Sequence, residues 1–355
     1  MKGRVLVAMS GGVDSAVAAG LLRQKGYEVV GVTMCFNLPL GGDIRRPSCC
    51  DISSIEDARR IAAVLGIRHY VLSFGHLLRQ RVIDNFCREY LSGRTPNPCV
   101  RCNRFLKFGA LLDKARQLSC DYLATGHYAR VVCSRGHYLL KKGRDNRKDQ
   151  SYFLYAISSD TLPYLLFPLG KYSKDEVRRL AREMKLPVCD KPGSQEICFV
   201  SGGGYRQFIL RTMGRGAAKT GPILRIDGRV LGEHNGIAFY TVGQRRALGG
   251  GRKRPLYVIR IDAKKNAIIL GEERELYSSR LSARQVNLLI VPKPKKAINV
   301  KAKIRYNQQE VPARLSFTGP ERIALEFAHP QRAISPGQSV VFYRGDIVLG
   351  GGVII

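Results

Sequence analysis

Acidic residues are scarce in this chain of 355: 28 Asp and Glu stand against 59 Lys and Arg, a formal net charge of +31 at pH 7. A field of that sign attracts polyanions, nucleic acid first and an anionic membrane surface second. No single basic tail accounts for the excess, which is shared almost evenly between the first 200 residues and the rest. Long apolar runs are also missing. Val5 to Met9 is far too short for a signal-peptide core, and nothing approaches a transmembrane span, so the expected location is cytoplasmic. Without an export signal, the ten cysteines read as thiols, redox groups or metal ligands rather than a disulfide framework. Hydrophobic residues make up 45% of the chain, which excludes disorder for its bulk, and the length suggests two or three domains.

Up to about residue 200, short β-branched runs alternate with amphipathic stretches. Val5 to Met9, Glu28 to Met34, His69 to Leu72 and Tyr122 to Thr125 read as strands, with helices over Asp14 to Lys25, Ile55 to Leu65 and Phe105 to Leu118. That alternation predicts an α/β domain built on a parallel sheet covered on both faces. Beyond Gly202 to Gly204 the chain is richer in glycine and in short alternating runs. Val230-Leu231, Ile237 to Val242, Tyr257 to Ile261 and Ala267 to Leu270 predict small antiparallel sheets. The charged stretch Glu272 to Arg280 and the segment Pro292 to Lys296 suggest a boundary near 275–295. The expected domains are therefore 1–200 (catalytic α/β), 201–280 (β-rich) and 281–355 (β-barrel-like).

The first strand ends in Ser10-Gly11-Gly12-Val13-Asp14-Ser15 and leads straight into a helix. Glycines that admit a close ligand, serine hydroxyls and the positive end of a helix together make an anion site. No Gly-Lys-Ser/Thr follows, and Gly-x-Gly-x-x-Gly is absent, so it is neither a Walker A loop nor a dinucleotide fingerprint. The plain alternative is a strand-turn-helix with Ser10 or Asp14 as a cap. The hexapeptide also resembles the PP-loop of N-type ATP pyrophosphatases. That likeness implies the adenine nucleotide alpha hydrolase-like fold, ATP with Mg2+ as cofactor, cleavage between the α and β phosphates, and transient adenylation of a carbonyl oxygen.

Cys99-Val100-Arg101-Cys102 precedes a helix, and Cys198 lies in a loop after Pro192. A thiol at a helix start among Arg101, Arg104 and Lys107 is expected to have a lowered pKa and to act as a nucleophile. Cys-x-x-Cys alone also fits a redox pair or a zinc half-site. Seven ordered blocks settle a closer resemblance: Met9 to Ser15, Gly31 to Met34, Gly93 to Cys102, Ala124 to Tyr128, Lys148 to Leu154, Ser194 to Phe199 and Tyr240 to Arg246. With these the chain resembles the tRNA-specific 2-thiouridylase family over nearly its full length.

The resemblance implies ATP-dependent 2-thiolation of a wobble uridine, with Cys198 carrying sulfur as a persulfide and Cys102 as the second catalytic thiol. It places ATP at Ala8, Met9, Ser10, Gly11, Gly12, Val13, Asp14 and Ser15, with Met34 and Gly126 near the adenosine. The target base falls at Asn97, Pro98 and Cys99. Contacts to tRNA fall at His127, Lys148, Asp149, Gln150, Arg305, Tyr306 and Gln338. Implied partners are the anticodon stem-loop of tRNA and a sulfur-donor protein bearing a persulfide. Cys99 stands where many relatives have Asp, which opens an alternative: Cys99, Cys102 and Cys198 as ligands of a four-iron four-sulfur cluster. Cys35-Phe36-Asn37 also departs from the family pattern, and Cys49-Cys50 has no assignable role. A tRNA-binding module without catalysis would leave the loop and both thiols unused, and a PP-loop enzyme for a small metabolite would leave the thiols and the charge unused. An RNA partner uses both, since unstacked anticodon bases reach a buried site while phosphates spread over a long basic surface. Lys141-Lys142, Arg144, Arg147-Lys148, Arg245-Arg246, Arg252 to Arg254 and Lys293 to Lys303 are the candidate clusters.

Overall fold

The computed structural model describes residues 2–36, 52–191, 197–200, 204–245, 255–289 and 296–355. Asn37, Cys49, Cys50, 192–196, Arg246, Arg252 to Arg254 and 290–295 lie outside the described residues.

The first apolar run forms β1 (Arg4–Ala8), whose Val5, Leu6 and Val7 have no exposed surface. Helix α1 (Val13–Gln24), β2 (Glu28–Cys35), helix α2 (Ile52–Val64), β3 (Arg68–Ser73) and β4 (Tyr122–Ala124) follow. A hairpin of β5 (Ala129–Ser134) and β6 (His137–Lys142) turns at Arg135 and Gly136, both at positive φ, and β7 (Leu165–Leu166) ends the set. The parallel sheet runs β3-β2-β1-β4-β7. Strands buried on both faces need continuous apolar side chains rather than alternation, which is what Val29, Val30 and Val32 supply in β2. Strand order reverses about β1, between β2 and β4. In such sheets the ligand crevice opens at the carboxyl ends of the strands at that point.

The chain forms two compact units. The first comprises Met1–Val82, Cys99–Ser201 and Gly345–Leu349, and the second Ile83–Pro98, Gly202–Arg344 and Gly350–Ile355. In the first, Asp346 accepts from Arg130 at 2.8 Å and pairs with Lys141 at 3.0 Å. In the second, a helix over Asp84–Leu91 packs on the helix Gly204–Met213 through Phe86 against Phe208 and Tyr90 stacked on Tyr205.

The second unit holds a four-stranded sheet of β8 (Gly221–Arg225), β9 (Val230–His234), β10 (Tyr257–Asp262) and β11 (Ala267–Gly271), ordered β10-β11-β8-β9. Its β11–β8 pair is parallel, so the sheet is not purely antiparallel as expected. The expected strand over Ile237 to Val242 is instead a single 3-10 turn at Ile237–Phe239. Gly236, at φ +123, sets the turn, and Ile237 to Tyr240 are buried together rather than alternately, so the pleat has no solvent face to fill. The remaining strands are β12 (Tyr277–Leu288), β13 (Ile298–Lys303), β14 (Val311–Gly319), β15 (Arg322–Arg332), β16 (Ser339–Arg344) and β17 (Ile347–Ile354). They close into a six-stranded antiparallel barrel, β12 pairing with both β15 and β17. The charged stretch Glu272 to Arg280 runs through a 3-10 turn directly into β12. Among the described residues, no helix is long and apolar enough to cross a membrane.

Candidate active site

Helix α1 begins after Gly12, and no side chain caps it. That overturns the capping alternative for Ser10 and Asp14, and leaves the first-turn N–H groups for a ligand. Ser15 turns inward instead: its Oγ accepts from Ser10 N at 3.1 Å and donates to Gly12 O at 3.0 Å. Ser10 is exposed, so its hydroxyl stays at the mouth of the loop. Gly11 sits at φ +70, and a Cβ there would run into the Ser54 carbonyl at the start of α2. Gly126, just past β4, is similarly restricted, since its Cβ would stand 2.8 Å from Asp14 C and 2.9 Å from Ser15 N. The backbone after β4 thus supports the start of α1 from beneath.

Three residues at this site were not singled out in the sequence. Lys174 Nζ donates to Asp14 Oδ1 at 2.6 Å, and Tyr128 Oη donates to the same oxygen at 2.7 Å. Burial and the neighbouring Asp14 carboxylate push the Tyr128 phenol up, so it remains a donor. Lys191 Nζ reaches Asp57 at 2.7 Å and Gly11 O at 3.3 Å. Tyr128 falls inside the matched block Ala124 to Tyr128, which was a usable signal. The two lysines are distant in sequence and carried none.

Cys102 opens a π-helical segment, Cys102–Ala110, after a short turn of helix at Pro98–Arg101. Such segments recur at functional sites. Cys99 and Cys198 are exposed and Cys102 is half-buried. The expected lowering of the thiol pKa is not found. Crowding by surrounding protein is the dominant cause and pushes Cys99 and Cys102 up, with Lys107 pulling the other way. Cys198 keeps solvent-exposed surface, yet crowding by the surrounding protein, followed by Cys102 and Cys99 beside it, pushes it up to about 12. Arg101 and Arg104 do not help, because both guanidinium groups lie over the Phe105 ring, at 4.9 and 5.1 Å. With pKa values this high, the thiolate fraction climbs about tenfold per pH unit. Alkylation of Cys198 in the ligand-free protein is expected to accelerate about tenfold for each unit from pH 7 to 9, measured by mass spectrometry of iodoacetamide-treated protein. A flat profile would mean an already activated thiolate.

Cys102 lies near enough to raise both Cys99 and Cys198, but the cluster alternative finds no support. Among the described residues, no three His, Cys, Asp or Glu side chains are arranged to hold a metal ion.

The residues assigned to RNA fall in different settings. His127 is half-buried between Phe108 and Phe167, its Nδ1 2.6 Å from Thr125 Oγ1, and burial keeps it neutral. Asp149 is buried and accepts from Gly143 N, Ser151 N and Ser151 Oγ at 2.9, 3.1 and 2.8 Å. Gln150 accepts from Tyr128 N at 3.0 Å, which leaves Lys148 as the exposed member of that triplet. Asp149→Ala is expected to lower stability by about 2–4 kcal/mol through three unpaired donors, read as a drop in the denaturation midpoint. Arg305 donates to Ala333 O and Ser335 Oγ, and Tyr306 lies under Lys303 at 5.8 Å. Gln338 Nε2 donates to Thr95 O at 3.0 Å, while Thr95 N donates to Pro336 O at 2.8 Å. The barrel turn thereby holds the loop that leads into Asn97 and Pro98. Thr95, Arg206, Thr241, Gln244, Arg305 and Gln338 line a cavity of about 510 Å³ within the second unit.

Residues 3–202 match a family described as tRNA methyl transferase HUP domain, residues 207–272 a tRNA methyl transferase PRC-barrel domain, and residues 278–354 an aminomethyltransferase beta-barrel domain. A tRNA-specific 2-thiouridylase MnmA from Carboxydothermus hydrogenoformans is 50% identical over 355 residues, covering 99% of this chain and 97% of its own. Its namesake from Desulforamulus reducens is 48% identical over 357 residues, covering 99% and 96%. Among solved structures, a 4-thiouridine synthetase in complex with RNA and ATP aligns with 56% of this chain and 45% of its own, at 19% identity and a TM-score of 0.36.

Proposed function

Because the chain belongs to the tRNA-specific 2-thiouridylase family, we propose that its site thiolates the C2 position of the wobble uridine in tRNA at the expense of ATP. The observation that carries this reading is the meeting, in one unit, of an uncapped PP-loop with two thiols 96 positions apart in sequence, Cys102 lying near enough to Cys198 to raise its pKa. Methyl transfer would leave those thiols idle.

The residues present fit ATP. Gly11 and Gly126 leave room only for backbone, α1 offers its N–H groups to phosphate, and Ser10 keeps a hydroxyl at the mouth. Ala8 to Ser15 would hold the phosphates, with Met34 and Gly126 toward the adenosine. Lys174 would neutralise charge beside Asp14, near which Mg2+ would accompany the nucleotide. ATP supplies the adenylate that turns the uridine C2 oxygen into a leaving group, with pyrophosphate lost.

Asn97, Pro98 and Cys99 would receive the base. The terminal sulfur of a Cys198 persulfide then bonds to C2 and AMP departs; Cys102 attacks Cys198 Sγ, forming a Cys102–Cys198 disulfide and freeing the thiocarbonyl. Alternatively Cys102 first cleaves the persulfide, giving the same disulfide and a hydrosulfide that displaces AMP. Either route consumes two electrons from an external thiol to reset the pair, which is ordinary thiol–disulfide exchange. A persulfide-bearing donor protein would reload Cys198. The contacts assigned to His127, Lys148 to Gln150, Arg305, Tyr306 and Gln338 would hold the anticodon stem-loop, and the chain would divide functionally at about residues 200 and 280, working in the cytoplasm.

Mass spectrometry of tRNA nucleosides after incubation with the protein, ATP, magnesium, a persulfide donor and a thiol tests this. A mass gain of sulfur for oxygen at uridine is expected. Unmodified uridine in every tRNA, with a competent donor, would sink the reading.

A further inference from the structure

We propose that Arg81, Arg101 and Arg104, gathered around the Phe105 ring, form a phosphodiester site that seats the RNA backbone beside the uridine under modification. The proposal rests on the reading of the chain as a tRNA-thiolating enzyme.

The three guanidinium carbons lie 5.7, 4.9 and 5.1 Å from the centre of one phenyl ring. A ring has two faces, so at least two of these cations share one. Like charges crowded in this way repel, and the ring quadrupole offsets that only in part. Among the described residues, no carboxylate pairs with Arg81 or Arg104, and both are exposed. Arg101 Nε donates to the Arg81 carbonyl at 2.8 Å, which ties the two segments and fixes that guanidinium. Arg81 and Arg104 thus present an exposed cationic pair with no carboxylate partner among the described residues, held beside Arg101 on one ring.

Its position selects the anion. Arg101 precedes Cys102 directly, and Arg104 and Phe105 follow within about one helical turn. A strand whose base reaches Cys102 has to carry its own sugar–phosphate backbone across this surface. Planar guanidinium forks match phosphate oxygens two at a time, as a lysine point charge does not. The chain's +31 charge agrees with a polyanion.

The test uses the full chain with Arg81→Gln, Arg104→Gln and the double substitution, beside Arg81→Lys with Arg104→Lys. Binding of fluorescent tRNA is measured from 50 to 300 mM KCl, and thermal unfolding confirms that each variant folds. The double Gln variant is expected to lose about ten- to a hundredfold in affinity near 0.1 M salt. Its log Kd against log salt should become shallower by roughly 0.7–0.9 for each charge removed. The Lys pair should keep the salt slope and recover only part of the affinity. Unchanged affinity and slope in the double Gln variant would overturn the proposal. So would intact RNA binding with impaired persulfide loading from the donor protein, which would make this an acidic-protein surface. Equal weakening of inorganic phosphate and tRNA binding, with no change in salt slope, would show a small-anion site and overturn it too. Absence of thiolation by the unsubstituted protein would instead sink the functional reading, and the two failures are distinguishable.

Discussion

Cys198→Ser is expected to reduce thiolation of tRNA by about 10³-fold or more, to the level of the protein-free reaction. A hydroxyl cannot carry a persulfide, so the loss falls on sulfur transfer alone. Pyrophosphate release on mixing ATP with tRNA should persist, because the PP-loop and Asp14 with its partners Lys174 and Tyr128 are untouched. The measurement pairs nucleoside mass spectrometry with a pyrophosphate assay on one preparation. Thiolation retained by the variant would remove Cys198 from the mechanism. Loss of both signals would mean that the substitution damages the ATP site rather than sulfur delivery. Cys102→Ser should also abolish turnover, yet its Cys198 should still accept a persulfide, visible as a mass gain of one sulfur on the protein. The raised thiol pKa values give this pair a definite character: in the ligand-free protein the sulfurs are mostly protonated at neutral pH. Activation must come with the substrates, or from proton transfer within the site.

Gly126→Ala carries the second large effect. The added methyl would meet Asp14 C at 2.8 Å, Ser15 N at 2.9 Å and Asp14 O at 3.0 Å, all backbone atoms with no side-chain rotation to relieve them. The start of α1 would have to shift by several tenths of an ångström away from β4. A misplacement of about 1 Å at a reacting centre costs about 10²-fold in rate, so this smaller shift is expected to cost up to about that factor, and overpacking of this kind costs about 1–3 kcal/mol in stability. Pyrophosphate release should fall with the thiolation rate, unlike the Cys198→Ser pattern. A variant with a normal rate would show that the PP-loop does not depend on this support.

Much of the first unit was readable from residues alone. Val5 to Met9 and Glu28 to Met34 are continuous apolar runs, which only a doubly covered parallel sheet accommodates, and both became strands within a residue or two of the expected bounds. The loop at Ser10 to Ser15 was readable because glycine pairs between a strand and a helix have few other uses. Ile237 to Val242 failed because an apolar run has no period of its own: buried on all sides, it took a 3-10 turn set by Gly236. The thiol acidity failed for a different reason. Counting nearby cations assumed that Arg101 and Arg104 face the sulfurs, whereas Phe105 draws their guanidinium groups aside and burial dominates.

The sequence by itself determined the fold class of the first unit, the anion-binding loop, the family and the preference for a polyanion, because these rest on local periodicity, short motifs and summed charge. Only the tertiary structure decided what surrounds each group. It placed Lys174 and Tyr128 on Asp14, set Gly126 under α1, tied Thr95 to the barrel turn through Gln338, and gathered three arginines on one ring. Most of those relations join residues tens to hundreds of positions apart. Their energies depend on distance and burial in space, quantities that the order of residues along a chain does not contain.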